Sequence, residues 1–249
     1  MLFLLDALSR FLNGLFAAPI DDLLVYLGIH PAHPSHPLTN GLVLELVVFA
    51  VLLVFFLLVR SSLSIERPGV LQTLAESIYE FVDEQGESII GHGYERHMPF
   101  VSVIFLFVLL CNFIGLLPGI PTPTSSPEVP LGIALLTFVY YNAVGVFTVG
   151  PWKYFKHFLG PIPAIAIFMF PLEIISHLAR ILSLTVRLYA NMFASDLLTM
   201  VFFSFLPIGI PVVFLALHFG VASIQAYVFM LLAMIYLGGA VAHDEEGAL

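Results

Sequence analysis

Apolar residues in this chain gather in long runs rather than short periodic stretches. Residues 41–59 form nineteen positions interrupted only by Glu45, and Arg60 ends the run. Residues 99–117 and 131–149 repeat the pattern. A hydrocarbon core about 30 Å thick takes about 20 residues of helix, so each run predicts a membrane span. Between the first two runs the chain is polar. Leu71, Leu74, Ile78, Phe81 and Val82 nevertheless recur at helical spacing, with Glu76, Glu80, Asp83 and Glu84 at other positions. That pattern predicts an amphipathic helix lying on the membrane surface. The loop 118–130 carries five prolines and no Lys or Arg.

Two further runs are too long to stand upright. Residues 164–206 contain no turn signal except Pro171, and these 43 residues would extend about 65 Å as helix. Residues 212–242, 31 in number, would extend about 46 Å. The prediction is a long, strongly tilted intramembrane helical hairpin, joined by the uncharged residues 207–211. Its polar residues follow helical geometry at about 100° per residue. Glu173, Arg180 and Arg187 are seven apart and share a stripe, and Asn191 stays near it. Asp196, nine beyond Arg187, falls on the opposite face, while His218 and Gln225 share a face of the second helix. Arg187 stands out among these. A guanidinium stays charged at every accessible pH, and placing one at a bilayer centre costs about 2.5 kcal/mol or more. The default reading is an ion pathway, in which a fixed positive charge between Glu173 on one side and Asp196 with His218 on the other stops a proton passing straight through.

Composition supports the membrane reading, since 60% of the 249 residues are hydrophobic, 10% are charged and the mean hydropathy is +1.03. The expected organisation is all-α, a polytopic membrane protein forming a single membrane domain over residues 1–249. Within it, 1–40 are extramembrane or interfacial, 41–149 hold the three spans and the surface helix, and 164–242 form the hairpin. The net charge of −9 comes mostly from extramembrane acids and the tail Asp244, Glu245 and Glu246, so it says little about partners. Nucleic acid is not expected among them. A single cysteine, Cys111, excludes a disulfide within the chain. Asp6 and Arg10 interrupt the first apolar patch at helical spacing, which favours an amphipathic surface helix over a signal peptide. Arg60, Arg67, Arg96, Lys153 and Lys156 fall on one side if the spans alternate, predicting that side to be cytoplasmic and the amino terminus outside. His30, His33 and His36 alternate with prolines and read as a stiff, solvated loop rather than a metal site. No metal or cofactor is expected.

At Leu182-Ser183-Leu184-Thr185-Val186-Arg187-Leu188-Tyr189-Ala190-Asn191-Met192 the chain resembles the signature of subunit a of F-type ATP synthases. Asn112-Phe113-Ile114-Gly115-Leu116-Leu117-Pro118 is similar to that family's asparagine-to-proline motif, and Gln225-Ala226-Tyr227-Val228-Phe229 with Ile235-Tyr236-Leu237 to its last helix. The resemblance runs from about residue 41 to residue 239. It implies a stator subunit beside a rotating ring of c subunits, held with b-type peripheral stalk subunits in the synthase complex and surrounded by lipid. It also implies two aqueous half-channels opening to opposite faces of the membrane. Arg187 would face the ring carboxylate. Asp196, His218, Asn191 and Gln225 match the non-cytoplasmic half-channel and Glu173 the cytoplasmic one, with Ser176 and His177 as secondary candidates. Arg180 would be interfacial or structural, and Asn112 interhelical glue. The chain itself would make no bond, as a non-catalytic subunit of a translocase. The transported ion is expected to be H⁺ rather than Na⁺. The Asp196–His218 pairing looks like the bacterial pattern, which points to a bacterial inner membrane rather than a mitochondrial one.

Plainer readings compete. Arg187 would be structural if it paired with Glu173, and His218 and Gln225 would be glue if they only bridged helices. A stand-alone ion-coupled transporter or channel would also bury an arginine, but it typically shows two related halves, and no internal repeat occurs here. An intramembrane hydrolase needs a nucleophile aligned with its base; Ser176 and His177 are adjacent and point about 100° apart on a helix.

Overall fold

Long apolar runs with no water to satisfy their backbone must bond it internally, and helices do so. The computed structural model describes residues 6–14, 26, 40–91, 93–117, 120–151, 166–205 and 209–242. It contains six long helices: α1 (Asn40–Ser61), α2 (Val70–Ile90), α3 (Met98–Ile114), α4 (Glu128–Val149), α5 (Ala166–Phe205) and α6 (Ile210–Ala242). Single 3₁₀ turns occur at Tyr94–Arg96 and Pro123–Ser125, and there is no strand among the described residues. Residues 6–14 are helical, including Asp6 and Arg10. The remainder of the amino-terminal patch, His30, His33, His36, Lys153, Lys156, residues 207–208 of the hairpin connection and the acidic tail lie outside the described residues.

The helices track the apolar runs, with boundary shifts that have local causes. α3 stops at Ile114 rather than at 117 because the chain tightens into consecutive turns, Leu116 N–H donating to Phe113 and Leu117 N–H to Ile114. α4 begins at Glu128 rather than at 131, with Pro130 inside its first turn, where a missing N–H costs nothing. α5 runs through Pro171 as one helix of 40 residues. At 1.5 Å per residue it is about 60 Å long, twice the hydrocarbon thickness, so it crosses a membrane strongly tilted or curved. Among the described residues four helices are long and apolar enough to cross, and α3 is a shorter apolar helix.

α6 is the axis of the bundle and packs against α2, α3, α4 and α5. Its Ala222, Ala226, Phe229, Met230, Met234 and Leu237 are buried at successive turns, opposite Met98 of α3 and Leu184, Leu188 and Met192 of α5. Small residues set the closest approach. A Cβ on Gly238 would lie 3.1 Å from the Ile89 carbonyl oxygen, so α2 meets α6 backbone to backbone. Val82, Gly86 and Ile90 of α2 face inward while Leu71, Leu74 and Phe81 remain exposed, giving that helix one face on protein and another free to meet lipid.

The α3–α4 loop turns back into the bundle. Thr122 and Thr124 are buried, and a Cβ on Gly41 would come within 3.0 Å of Ser126 Oγ, so the start of α1, the end of α3 and the start of α4 share one end of the molecule. At the other end, the last turns of α6 lie against the end of α2, and η-turn residue Tyr94 lies close to Gly86. There His97 Nδ1 is 3.0 Å from the Tyr140 hydroxyl, and burial, reinforced by Arg96, holds the His97 imidazole below the usual histidine range.

Candidate functional site

The functional candidates sit on α5 and the facing side of α6, with Asn112 on α3. The buried face of α5 centres on Leu184, Leu188 and Met192, and its exposed apolar face on Leu182, Val186, Phe193 and Leu197. Arg187 lies on the boundary between the two faces and is partly buried. Its Nη2 donates to Ser183 Oγ, one turn earlier, at 3.3 Å. Among the described residues no carboxylate lies within ion-pair distance of Arg187, and Glu173 instead meets His177. At about 100° per residue, Asp196 marks the opposite boundary of the same exposed face.

Toward the end formed by the α3–α4 loop, polar groups converge on Asp196. Thr122 donates twice to it, from its backbone N–H to Oδ2 at 3.1 Å and from its hydroxyl to Oδ1 at 2.6 Å. His218 of α6 is 1% exposed, its Nδ1 lies 3.8 Å from Asp196 Oδ1, and neither ring nitrogen has a hydrogen-bond partner among the described residues. An open cavity of about 530 Å³ adjoins the cluster, lined mostly by apolar side chains such as Leu117, Phe193, Met200 and Phe203, with Ser125, Asp196 and Thr199 as its polar members. A separate pair lies nearer Arg187: Asn191 donates to Gln225 Oε1 at 2.9 Å, and Gln225 is buried with its Nε2 unpartnered among the described residues. Asn112 stands apart from both pairs. Its side chain donates to the Ala222 carbonyl at 3.2 Å and accepts from Thr124 Oγ1 at 2.7 Å, tying α3, α6 and the loop together.

Toward the other end a second cluster forms on α4, α5 and α6. Glu173 Oε1 lies 3.4 Å from His177 Nε2, and His177 Nδ1 lies 2.9 Å from the hydroxyl of buried Tyr141. The guanidinium of Arg180 covers the ring of Tyr236 at 5.2 Å, a cation–π contact. Ser176 is partly buried beside this group. Counting along α5, Glu173 is about 21 Å and Asp196 about 13 Å from Arg187, on opposite sides. The structure therefore brings Asp196 together with His218, Asn191 with Gln225, and Glu173 with His177, and leaves Arg187 between them.

Thr122, Thr124, Tyr141 and Tyr236 share these clusters without having been singled out for them by sequence pattern. Thr122 is 74 residues from Asp196 and Tyr141 is 36 from His177, separations that carry no periodic signal.

A polytopic helical membrane protein with two separate polar clusters, and between them an arginine with no carboxylate partner among the described residues, belongs to the class of ion-translocating membrane subunits. Residues 42–238 match the family model for the ATP synthase A chain. The chain is 47% identical over 238 residues to ATP synthase subunit a of Koribacter versatilis, covering 96% of this chain and 97% of that one. It is 46% identical to the subunit a of Solibacter usitatus, covering 86% and 91%, and 40% identical to that of Campylobacter fetus, covering 85% and 94%. The chain belongs to the ATP synthase subunit a family. Membership makes it a proton-translocating, non-catalytic membrane subunit that works within an ATP synthase complex.

Proposed function

We propose that this chain forms two offset half-channels against a rotating ring of c subunits, with Arg187 as the barrier between them. The observation that carries the reading is the position of Arg187: partly buried, without a carboxylate of its own among the described residues, bordering an exposed apolar face, and lying between polar clusters toward opposite ends. A carboxylate carried past it on a ring subunit would be held ionised by the guanidinium, and the guanidinium itself cannot relay a proton. Asp196, His218, Asn191 and Gln225 would serve the half-channel on the non-cytoplasmic side. Glu173, with His177 and Ser176, would serve the cytoplasmic side, and Arg180 would brace it through Tyr236.

The step is an ion translocation and belongs to the translocase class. Each charge crossing the membrane releases roughly 2.3 kcal/mol per 100 mV, and the ring accumulates these steps as torque. The further partners are b-type peripheral stalk subunits. The setting is a bacterial inner membrane, with the basic residues inside and the amino terminus outside.

ATP-driven proton pumping in inverted vesicles tests the reading. Arg187→Ala should abolish pumping while the complex still assembles with its ring, and passive proton leak should rise. Arg187→Lys should also fail, because a desolvated lysine can lose its proton. Pumping that survives Arg187→Ala would move the ion path elsewhere. A stand-alone transporter would pump without a ring, so loss of transport on removing the ring separates the two readings.

A further inference from the structure

The geometry points to Thr122 as a positioning residue for the non-cytoplasmic half-channel, fixing the Asp196 carboxylate with Oδ1 turned toward His218. The inference rests on the half-channel reading above. Thr122 is 1% exposed and sits in the loop between α3 and α4, outside both helices of the hairpin. Its two donors take one carboxylate oxygen each, at 3.1 Å and 2.6 Å, a two-point grip that leaves the carboxylate little freedom to turn about its own axis. The oxygen held by the hydroxyl is the one 3.8 Å from His218 Nδ1.

The surroundings are built around that grip. A Cβ on Gly115 would collide with Thr122 Oγ1 and lie 3.2 Å from His218 Cε1, so the end of α3 leaves space for the hydroxyl only because a glycine is there. The loop is anchored separately, by Thr124 Oγ1 on Asn112 at 2.7 Å and by Ser125 Oγ on the Thr122 carbonyl at 2.7 Å. Thr122 is therefore held before it meets Asp196, which is what a positioning group requires. Among the described residues, His218 of α6 is the one oppositely chargeable side chain at ion-pair distance from Asp196, and Arg187 lies about 180° round α5 from it.

The test is the pH profile of ATP-driven pumping for Thr122→Val, Thr122→Ser and Asp196→Asn in the assembled complex, with ring content measured for each. Thr122→Val keeps the backbone donor and loses the hydroxyl. Its pH profile is expected to depart from that of the wild type, with pumping near neutral pH down about threefold or more. Thr122→Ser restores the donor and should run within about twofold of wild type. A wild-type profile for an assembled Thr122→Val complex overturns the inference, as does a Thr122→Ser profile as shifted as that of valine. If Thr122→Val does not assemble, Thr122→Ala, smaller and equally without the hydroxyl, is read by the same criteria. Asp196→Asn separates the two levels. Loss of pumping there with an unshifted Thr122→Val retains the half-channel reading and rejects the role of Thr122, whereas normal pumping by Asp196→Asn rejects the reading itself.

Discussion

Single residues in this protein act through what their chemistry cannot do. Arg187 cannot deprotonate, Gly115 cannot obstruct the Thr122 hydroxyl, and buried His218 has no hydrogen-bond partner within the described chain to fix its proton. His97, just before α3, shows the same logic in stability. Burial and Arg96 lower its affinity for a proton in the fold, so below its unfolded value of about 6.5 the unfolded chain binds more protons than the native one. The stabilisation is present above that value and is lost as pH falls through the window beneath it. Thermal unfolding of the purified complex should therefore drop in temperature between about pH 7 and pH 5. His97→Gln, which keeps a polar group near Tyr140 and has no proton to gain, should flatten that dependence; an equally steep profile in the variant would assign the effect to other groups.

The elements divide the labour between reach and contact. α5 is long enough to pass both polar clusters, and Arg187 lies near the middle of its 40 residues. α6 supplies the apposed wall and packs on the other helices through alanine, methionine and glycine. The approach of α2 is close, with Gly238 set against the Ile89 backbone. Gly238→Leu would drive a side chain toward the Ile89 carbonyl, and overpacking of this kind typically costs about 1–3 kcal/mol. Hydrogen exchange of the α2 amides should then speed up by roughly five- to hundredfold while exchange in the α4–α5 contact stays unchanged. Protection of α2 at the wild-type level would mean that the surface helix is held by its other contacts.

At the scale of the whole molecule, the exposed apolar face of α5 sits beside Arg187 and has no cover from the described residues. Under the proposed reading a ring subunit covers it. Cys111 is buried, so Val186→Cys would supply an exposed thiol, and it should form a disulfide with a cysteine placed near the ring carboxylate, in a yield that falls when the ring is turned by ATP hydrolysis. Labelling of the thiol by lipid-soluble reagents alone, with no crosslink to the ring, would mean that lipid covers that face. Much of this arrangement was legible along the chain. Run length and 100° periodicity describe local geometry, so the spans, the surface helix, the over-long hairpin and the opposition of Asp196 to the Arg187 stripe follow from residue order alone. The motif around Arg187 carried the family. What residue order could not supply was contact between distant segments. That the Pro-rich loop folds inward, that Thr122 reaches Asp196 across 74 residues, and that Tyr141 completes the Glu173–His177 cluster depend on how α3, α4 and α6 pack. Periodicity determines which face of a helix a residue occupies; only the packing of the helices decides which partner that face will meet.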